Sequence, residues 1–589
     1  MAEGETTSGS TAAQVAAFEV LAERFGRSRL ERLPSATVRN VCSTPGSAGW
    51  TVALPVDYTG RSRELWFVLP GNLPLEPPIV HVCPEAYRKW PHAESDGKFC
   101  LWRDGEAPVG HSASDQMREV LIRVSDVMSL IYPTFDAPRA QVEFEREWTS
   151  YWAAGGNRGR SSSTRVLLLD VPPESGLVES TLVSARNGNA FLLVGGPREL
   201  RASWCAALGT SEANPPSLDT LVAPLSRPPI GAPEHFGALE DLLAGSAPPP
   251  SAGQLTTLTA RSAAFYVVVH TGTHQPMFAA LEITPVPDRR PSAGYQSSRA
   301  RRHRLDRRKI VSWRVGSALV ERADASWLRG RGFDAEAQQL SKKHVVIVGC
   351  GSLGGLVARA LAAGGVGRLS LVDPDYLSTA NLGRHVLSAQ HLGEAKAKAL
   401  AYEVTSHNPN TRVDAFPMDV ARYSLPVGTD LPDLVIGTTG NWPAENWLIH
   451  WHSSGQVRHL QLTWTERHAV AGHTILATSP EDGLASLYDA DGWFLRQATS
   501  WNGQTYALPG CEGSHQPGTF NRIQRIASLA VEQAIGFLTG GATSEHRAWL
   551  GDSATLEQLG GSWTGDWPLT AGVVERTLAR PLPGRTRAS

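Results

Sequence analysis

His344-Val345-Val346-Ile347-Val348-Gly349-Cys350-Gly351-Ser352-Leu353-Gly354 is a short apolar run that ends in three spaced glycines. The run reads as a buried strand, and residues 352–363, rich in Leu and Ala, read as the helix that follows. A second strand, Arg368–Val372, ends at Asp373. Glycines at such a turn let the backbone approach a phosphate at a helix N-terminus. An acid at the end of the second strand is placed to accept from ribose hydroxyls. On its own this pattern would be read as an NAD site. Strand and helix go on alternating across 342–540, the signature of an α/β domain.

The next residues argue against NAD. Asp373, Asp375, Asn381, Arg384 and Lys396 gather both signs of charge just past the strand end. Chemistry on ATP needs such a set, because cations must neutralise the triphosphate and a carboxylate must hold magnesium or the ribose. With this order and spacing the segment resembles the ThiF/MoeB and ubiquitin-activating superfamily over roughly 325–540. The resemblance implies a Rossmann-like adenylation domain that uses ATP and Mg2+. It puts Gly349, Gly351 and Gly354 in the nucleotide turn and Asp373 on the ribose. It puts Asn381, Arg384 and Lys396 on the phosphates and Asp375 near the site. Two residues depart from the pattern: His385 stands where the family has Gln, and Gly440 where it has an Asp beside magnesium, leaving Asp375 to compensate. No separate metal-ligand set is read. The family also lends an arginine across a homodimer, for which Arg322 and Arg329 are the candidates.

Cys511 lies in Ala507-Leu508-Pro509-Gly510-Cys511-Glu512-Gly513-Ser514-His515, a loop by its Pro and Gly. Thiolates attack acyl adenylates, and His515 is a candidate to lower the thiol's pKa. A buried loop cysteine, or a remnant of the zinc cysteines of MoeB-like enzymes, is the competing reading.

A second thiol, Cys100, ends Trp90-Pro91-His92-Ala93-Glu94-Ser95-Asp96-Gly97-Lys98-Phe99-Cys100. Upstream, Leu73-Pro74-Leu75-Glu76-Pro77-Pro78-Ile79-Val80 resembles the Pro-rich strand of the ubiquitin-conjugating fold, with Trp90-Pro91-His92 in place of its His-Pro-Asn. The resemblance covers about 13–150 and implies that Cys100 carries a thioester for a lysine amine. His92 can donate a hydrogen bond to an oxyanion, accept a proton from the amine, or brace the loop. The sequence leaves these open.

The chain has 589 residues, 41% hydrophobic and 19% charged, with a formal net charge of -2. That length predicts several domains, and the charge excludes a general polyanion binder. No apolar run is long enough for a membrane helix, and the start, Met1-Ala2-Glu3-Gly4-Glu5, lacks a signal peptide's apolar core. The six cysteines form no CxxC pair, so a reducing, cytoplasmic setting is expected.

The expected organisation is an α/β multidomain protein. Residues 1–12 are disordered, and 13–153 form an α+β conjugating-like domain with helices over 13–32 and 114–132. Its strands are Val38–Cys42, Trp50–Leu54, Leu65–Leu69 and Ile79–Val82. Residues 154–164 are a linker, 165–284 a mixed β-rich middle domain, and 285–309 a basic linker for which nucleic acid is not the expected partner. Residues 310–540 form the adenylation domain and 541–589 an extension without a readable motif.

The whole resembles the bacterial activating–conjugating fusions of anti-phage CBASS operons. That resemblance implies a CD-NTase or ubiquitin-like protein as the activated partner, and a lysine-bearing protein as target. Two other classes stay open: a sulfur-carrier adenylyltransferase, and a recruitment module whose conjugating-like domain is inert.

Overall fold

The computed structural model describes residues 11–582 except 103–105, 107–111, 157–161, 171–173, 211–214, 247–248, 251, 272–275, 288–309, 427, 429–430, 503–505, 508–513, 516–517, 542 and 565–575. The chain divides into two compact units, residues 1–166, 172–180 and 217–320, and residues 167–171, 181–216 and 321–589. The middle region of the sequence is therefore shared between them.

In the first unit, helix α1 (Ala12–Phe25) is capped by Thr11 and Gln14, each accepting from the other's backbone N–H. A meander follows: β1 (Glu31–Arg32), β2 (Ala48–Ala53), β3 (Glu64–Leu69) and β4 (Ile79–Val82), antiparallel and in that order. The segment read as a strand at Val38–Cys42 is instead part of a short helix, Ser35–Val41. Val38 and Cys42 are one helical turn apart and bury together against Leu33 and Val68, a spacing no strand offers. Helix α2 (Ala113–Ser129) packs on α1. Helix α3 (Ala137–Gly156) extends into the stretch read as a linker, and its Trp148 and Trp152 are fully buried. They sit in an apolar cluster with strands β5 (Ser217–Pro224), β6 (Phe265–Thr271), β7 (Met277–Pro287) and β8 (Ile310–Ala318). Residues 285–287, read as linker, are strand, held by pairing with β8. The rest of that basic stretch, 288–309, lies outside the described residues.

In the second unit the strands are β9 (His344–Val348), β10 (Arg368–Val372), β11 (Arg412–Phe416), β12 (Leu434–Gly437), β13 (Leu460–Thr465), β14 (Ala471–Ala477), β15 (Glu545–Leu550) and β16 (Arg576–Pro581). Among the described residues they form one sheet, ordered β11-β10-β9-β12-β13-β14-β15-β16. The first five are parallel and the rest antiparallel. All five residues of β9 are buried, as a central parallel strand covered on both faces requires. The sheet thus runs past residue 540: β15 and β16 extend it by antiparallel ladders, in the stretch read as an extension without a motif. After the short helix α4 (Ala335–Leu340), helix α5 (Ser352–Gly364) packs on α8 (Phe520–Leu538), and α6 (Lys396–His407) and α7 (Trp442–Ser453) complete the layers used below. The chain leaves β9 toward β10 and β11, then returns to β12 on its other side. Crevices at such reversals are where α/β sheets bind ligands.

Candidate functional site

The turn after β9 sits in that crevice. Gly349 has φ +95°, and a Cβ there would lie 3.0 Å from the Thr438 carbonyl at the end of β12. A Cβ on Gly354 would lie 1.9 Å from the Gly349 oxygen, so the first turn of α5 closes only with glycine. The Thr438 hydroxyl ties both strand ends together, donating to the Gly349 oxygen (2.7 Å) and the Val348 oxygen (3.2 Å). Gly351 faces open space. The N-terminus of α5, with its unpaired N–H groups and dipole, is thus presented to an anion.

Asp373 is buried at the end of β10. It accepts from the N–H of Cys350 (2.6 Å) and the N–H of Asp375 (2.7 Å). Burial raises its pKa above the ordinary carboxylate value, and these bonds and Lys396 only partly oppose that. A carboxylate has lone pairs left after two such bonds and can still accept from a ribose. Lys396, buried at the start of α6, reaches Asp375 at 2.9 Å. Asp375 itself is 65% exposed. Asn381 accepts from Ser378 and shapes the intervening turn. Arg384 sits on that turn with no hydrogen bond or ion pair to its guanidinium among the described residues. A half-buried cation without an anion suits an incoming phosphate.

Cys350 is buried, and burial pushes its thiol up, as expected of a structural cysteine. His385 has a definite role there. Its Nδ1 accepts from the Leu387 N–H (3.1 Å), so its Nε2–H donates to the Cys350 oxygen (2.8 Å). Burial lowers its pKa, so the ring is a neutral strut under the nucleotide turn. A glutamine amide, which also donates and accepts, could do the same.

Of the two arginine candidates, Arg329 donates to the oxygens of Gly365 (3.0 Å) and Ala362 (3.4 Å) and to the Thr411 hydroxyl (3.2 Å). It closes the C-terminus of α5. Arg322 is held by Asp324 (2.8 and 3.0 Å) and lies over Trp327.

The acid missing at Gly440 has a neighbour the sequence reading did not single out. Glu445, buried in the first turn of α7, accepts from the Tyr488 hydroxyl (3.4 Å). Burial pushes its pKa up to about 7, against hydrogen bonds from Tyr488, the Gly440 N–H and Thr439. The folded state therefore holds this proton more tightly than the unfolded chain does. The stability linked to the neutral form is complete below the ordinary value of 4.5 and is lost as pH rises to about 7. A rise of that size is worth roughly 3 kcal/mol at about 1.4 kcal/mol per unit. Glu445→Gln is expected to raise the melting temperature at pH 8 more than at pH 6. An equal effect at both would mean that the carboxyl does not titrate there.

The described residues hold no cluster of three His, Cys, Asp or Glu suited to a metal ion. Magnesium in nucleotide sites is commonly held by one or two carboxylates plus phosphate oxygens, and the exposed Asp375 fits that mode.

Cys511 lies outside the described residues. The segments that flank it, Tyr506–Ala507 and Ser514–His515, pair as an antiparallel ribbon.

The Cys100 site belongs to the first unit. Trp90 is buried beneath it, stacked on Phe99 and donating to Asp57 (3.0 Å), which also holds Arg63 (2.5 Å). His92 has φ +62°, a costly conformation for a residue with a side chain. Its carbonyl accepts from the Cys100 N–H (2.9 Å), and its own N–H donates to the Tyr151 hydroxyl (2.9 Å). Its Nδ1 lies 2.6 Å from Glu147 and its Nε2 lies 3.5 Å from Glu143. Burial pushes the imidazole down, but the two carboxylates outweigh it and leave its pKa above the ordinary 6.5. Tyr151 donates to Glu147 (2.9 Å). The sequence reading missed Glu143, Glu147 and Tyr151. Their signal was present: spacings of four residues put all three on one face of a helix.

Residues 329–548 match the ThiF family. This stretch is a ThiF domain. Over 261 residues the chain is 30% identical to an "ATP-dependent ubiquitin transferase-like protein Cap2" of Pseudomonas aeruginosa, a match spanning 42% of this chain and 46% of that one. Over 134 residues it is 35% identical to the Cap2 protein of Escherichia coli (21% and 22%). Over 107 residues it is 35% identical to a "Sulfur carrier protein adenylyltransferase" of Thermus thermophilus (18% and 40%). The chain thus spans less than half the length of these relatives. The resemblance read from the sequence is borne out at this level: a ThiF domain in the C-terminal half, and relatives named as ubiquitin transferase-like. No helix among the described residues is long and apolar enough to cross a membrane.

Proposed function

We propose that this chain uses ATP to adenylate the C-terminal carboxylate of a protein, then carries the acyl group on Cys511 and Cys100 as thioesters and delivers it to an amine. The partner would be a CD-NTase or a ubiquitin-like protein, and the setting anti-phage defence. The observation that carries the reading is the joint geometry at the β9–β12 crevice. An open helix N-terminus, the buried acid Asp373 and the buried cation Lys396, which pairs with Asp375, lie at the ends of β9 and β10, and Arg384 lies on the turn between Asp375 and Lys396.

In this scheme the substrate carboxylate attacks the α-phosphorus and pyrophosphate leaves. Arg384 and Lys396 offset the charge that builds on the leaving group. Lys396 must first exchange Asp375 for phosphate, and exposed Asp375 would then hold magnesium with the phosphate oxygens, which magnesium helps neutralise. The Cys511 thiolate next displaces AMP from the acyl carbon. Transfer from sulfur to sulfur is close to neutral in energy, so the ATP step makes the sequence favourable.

His92 has carboxylates at both ring nitrogens, which supports a bound imidazolium and disfavours the general-base role. The antiparallel meander with its flanking helices is in keeping with a conjugating-like domain.

The test is isotope exchange between labelled pyrophosphate and ATP, run with candidate CD-NTase and ubiquitin-like proteins. Exchange is expected with a partner whose C-terminus is free, and none once that terminus is extended by one residue. Exchange that ignores the terminus would overturn the reading. Similarity to the sulfur-carrier adenylyltransferase keeps a second reading in play. It predicts exchange, but a thiocarboxylate on the partner in place of an adduct on Cys100.

A further inference from the structure

The turn between β13 and β14, Glu466-Arg467-His468-Ala469, holds two adjacent residues other than glycine at positive φ, His468 at +58° and Ala469 at +51°. That backbone is costly for residues with a Cβ, so surrounding contacts must impose it. The turn grips both legs of the segment that carries Cys511. On the entering leg, buried Glu466 accepts from the N–H groups of Ala498 (2.6 Å) and Thr499 (2.9 Å) and from the Thr499 hydroxyl. The leaving leg meets the same turn. Gly518 bridges His468, and a Cβ on Gly518 would lie 3.3 Å from that of Ala469. Arg522 then donates to the His468 carbonyl (3.2 Å).

We propose that this turn is the mount of the Cys511 segment and that Glu466 is its positioning residue, setting where the thiol stands relative to the adenylate. This rests on the reading of Cys511 as the first acyl carrier. It adds what places that thiol, which nothing in the sequence around Cys511 specifies.

The topology puts the mount on the edge of the sheet that holds the crevice. β9, β12 and β13 are parallel neighbours, so the nucleotide turn and the Glu466 turn leave the sheet on one edge. Val348 stands level with Gly437, and Gly437 with Leu462. Two strand spacings and four residues then separate Glu466 from the end of β9, about 10 Å across and about 13 Å along. Cys511 precedes Gly518 by seven residues, a span of at most about 25 Å when extended. That tether is long enough to reach the crevice without release of either leg.

The legs themselves are weak structures. Thr499–Trp501 and Gly561–Trp563 form one two-stranded ribbon, and Tyr506–Ala507 and Ser514–His515 form another. Such ribbons are marginal alone, so their place depends on what ties them to the large sheet. Ala498 packs among Ala471, Ala548 and Leu550, but apolar contact is non-directional. The Glu466 carboxylate supplies direction, because each of its oxygens takes a fixed backbone N–H. Burial raises its pKa, but the bonds from His473 (2.5 Å), Thr499 and Ala498 outweigh that and leave it below the ordinary carboxylate value. It is an ionised group that only accepts.

The experiment compares two rates in the full chain with ATP and a CD-NTase whose C-terminus is free, or a ubiquitin-like protein where only that supports exchange. One is pyrophosphate exchange; the other is the appearance of the reductant-sensitive adduct on the Cys511 peptide. Glu466→Gln keeps the size but turns one acceptor oxygen into a donor that faces donors. It should leave exchange within about twofold of native and slow the adduct about tenfold or more, as misplacement of a reacting group does. Thr499→Val removes one donor to the carboxylate and should slow the adduct by a smaller factor. Exchange and adduct falling together would make Glu466 a packing residue and overturn the proposal. So would an adduct rate unchanged in both variants. Hydrogen exchange of the chain alone is the second readout. In Glu466→Gln, peptides spanning 498–501 and 514–518 should both exchange faster while β9 keeps its native rate. Loosening of the entering leg alone would show that the turn does not hold both, and would overturn the mount. If Glu466→Gln does not fold, Thr499→Val carries the same tests. A native chain that supports pyrophosphate exchange but forms no adduct on Cys511 would end the carrier reading first, and hydrogen exchange would still decide whether the turn holds both legs.

Discussion

Lys396→Ala is expected to lower pyrophosphate exchange by about 10²–10³-fold, the loss typical when one preorganised charge partner of a developing anion is removed. Lys396 enters the crevice from the first residue of α6 and is buried, so no nearby side chain can move into its place. Its ion-pair partner, Asp375, is 65% exposed and can be hydrated once the lysine is gone. The ion pair itself should therefore be worth little to the fold, about 1 kcal/mol or less, because the carboxylate partner of the buried lysine is exposed. A large loss of exchange with an unchanged melting temperature is the expected pair of results. If exchange survives within threefold, Lys396 serves only as the ion-pair partner of Asp375 and the nucleotide assignment at this strand edge is wrong.

The two thiols are expected to separate the reaction into stages. Cys511→Ala should leave pyrophosphate exchange near the native rate while abolishing every reductant-sensitive adduct on the chain. Cys100→Ala should keep the adduct on Cys511 and remove the final amide product, each loss exceeding about 10²-fold because an unactivated side chain cannot replace a thiolate. Gel mobility with and without dithiothreitol distinguishes the stages. The reverse order, with Cys100 charged in the absence of Cys511, would exclude the relay as drawn. It would leave Cys100 loading straight from the adenylate.

Much of the adenylation fold could be read from β9 to β10, because a central parallel strand must be apolar throughout and a phosphate turn must be glycine. The structure reproduces His344–Val348 and Arg368–Val372 residue for residue. Asp373, Asp375, Asn381, Arg384 and Lys396 lie within a short span of sequence, so they were visible together as a motif. What stayed hidden is non-local. Glu445 reaches the gap at Gly440 only because α7 turns its first turn back on the loop. Glu143, Glu147 and Tyr151 meet His92 because α3 packs along the loop, which no local spacing reports. Val38–Cys42 was misread because β-branched and apolar residues over five positions suit either state. The arbiter was Val38 and Cys42 packing against Leu33 and Val68, a tertiary contact. The strands β15 and β16 escaped notice for a related reason: Glu545–Leu550 and Arg576–Pro581 mix polar and apolar residues without a clear period, and what makes them strands is pairing with β14 and with each other.

The most direct measurement uses the purified chain, ATP and a partner protein with a free C-terminus, quenched in acid without reductant and mapped by mass spectrometry. The account predicts the partner's terminal acyl group on the Cys100 peptide, dependent on ATP and on Lys396, and released by dithiothreitol. Equal competence of chains with serine at position 511 or 100 would contradict it.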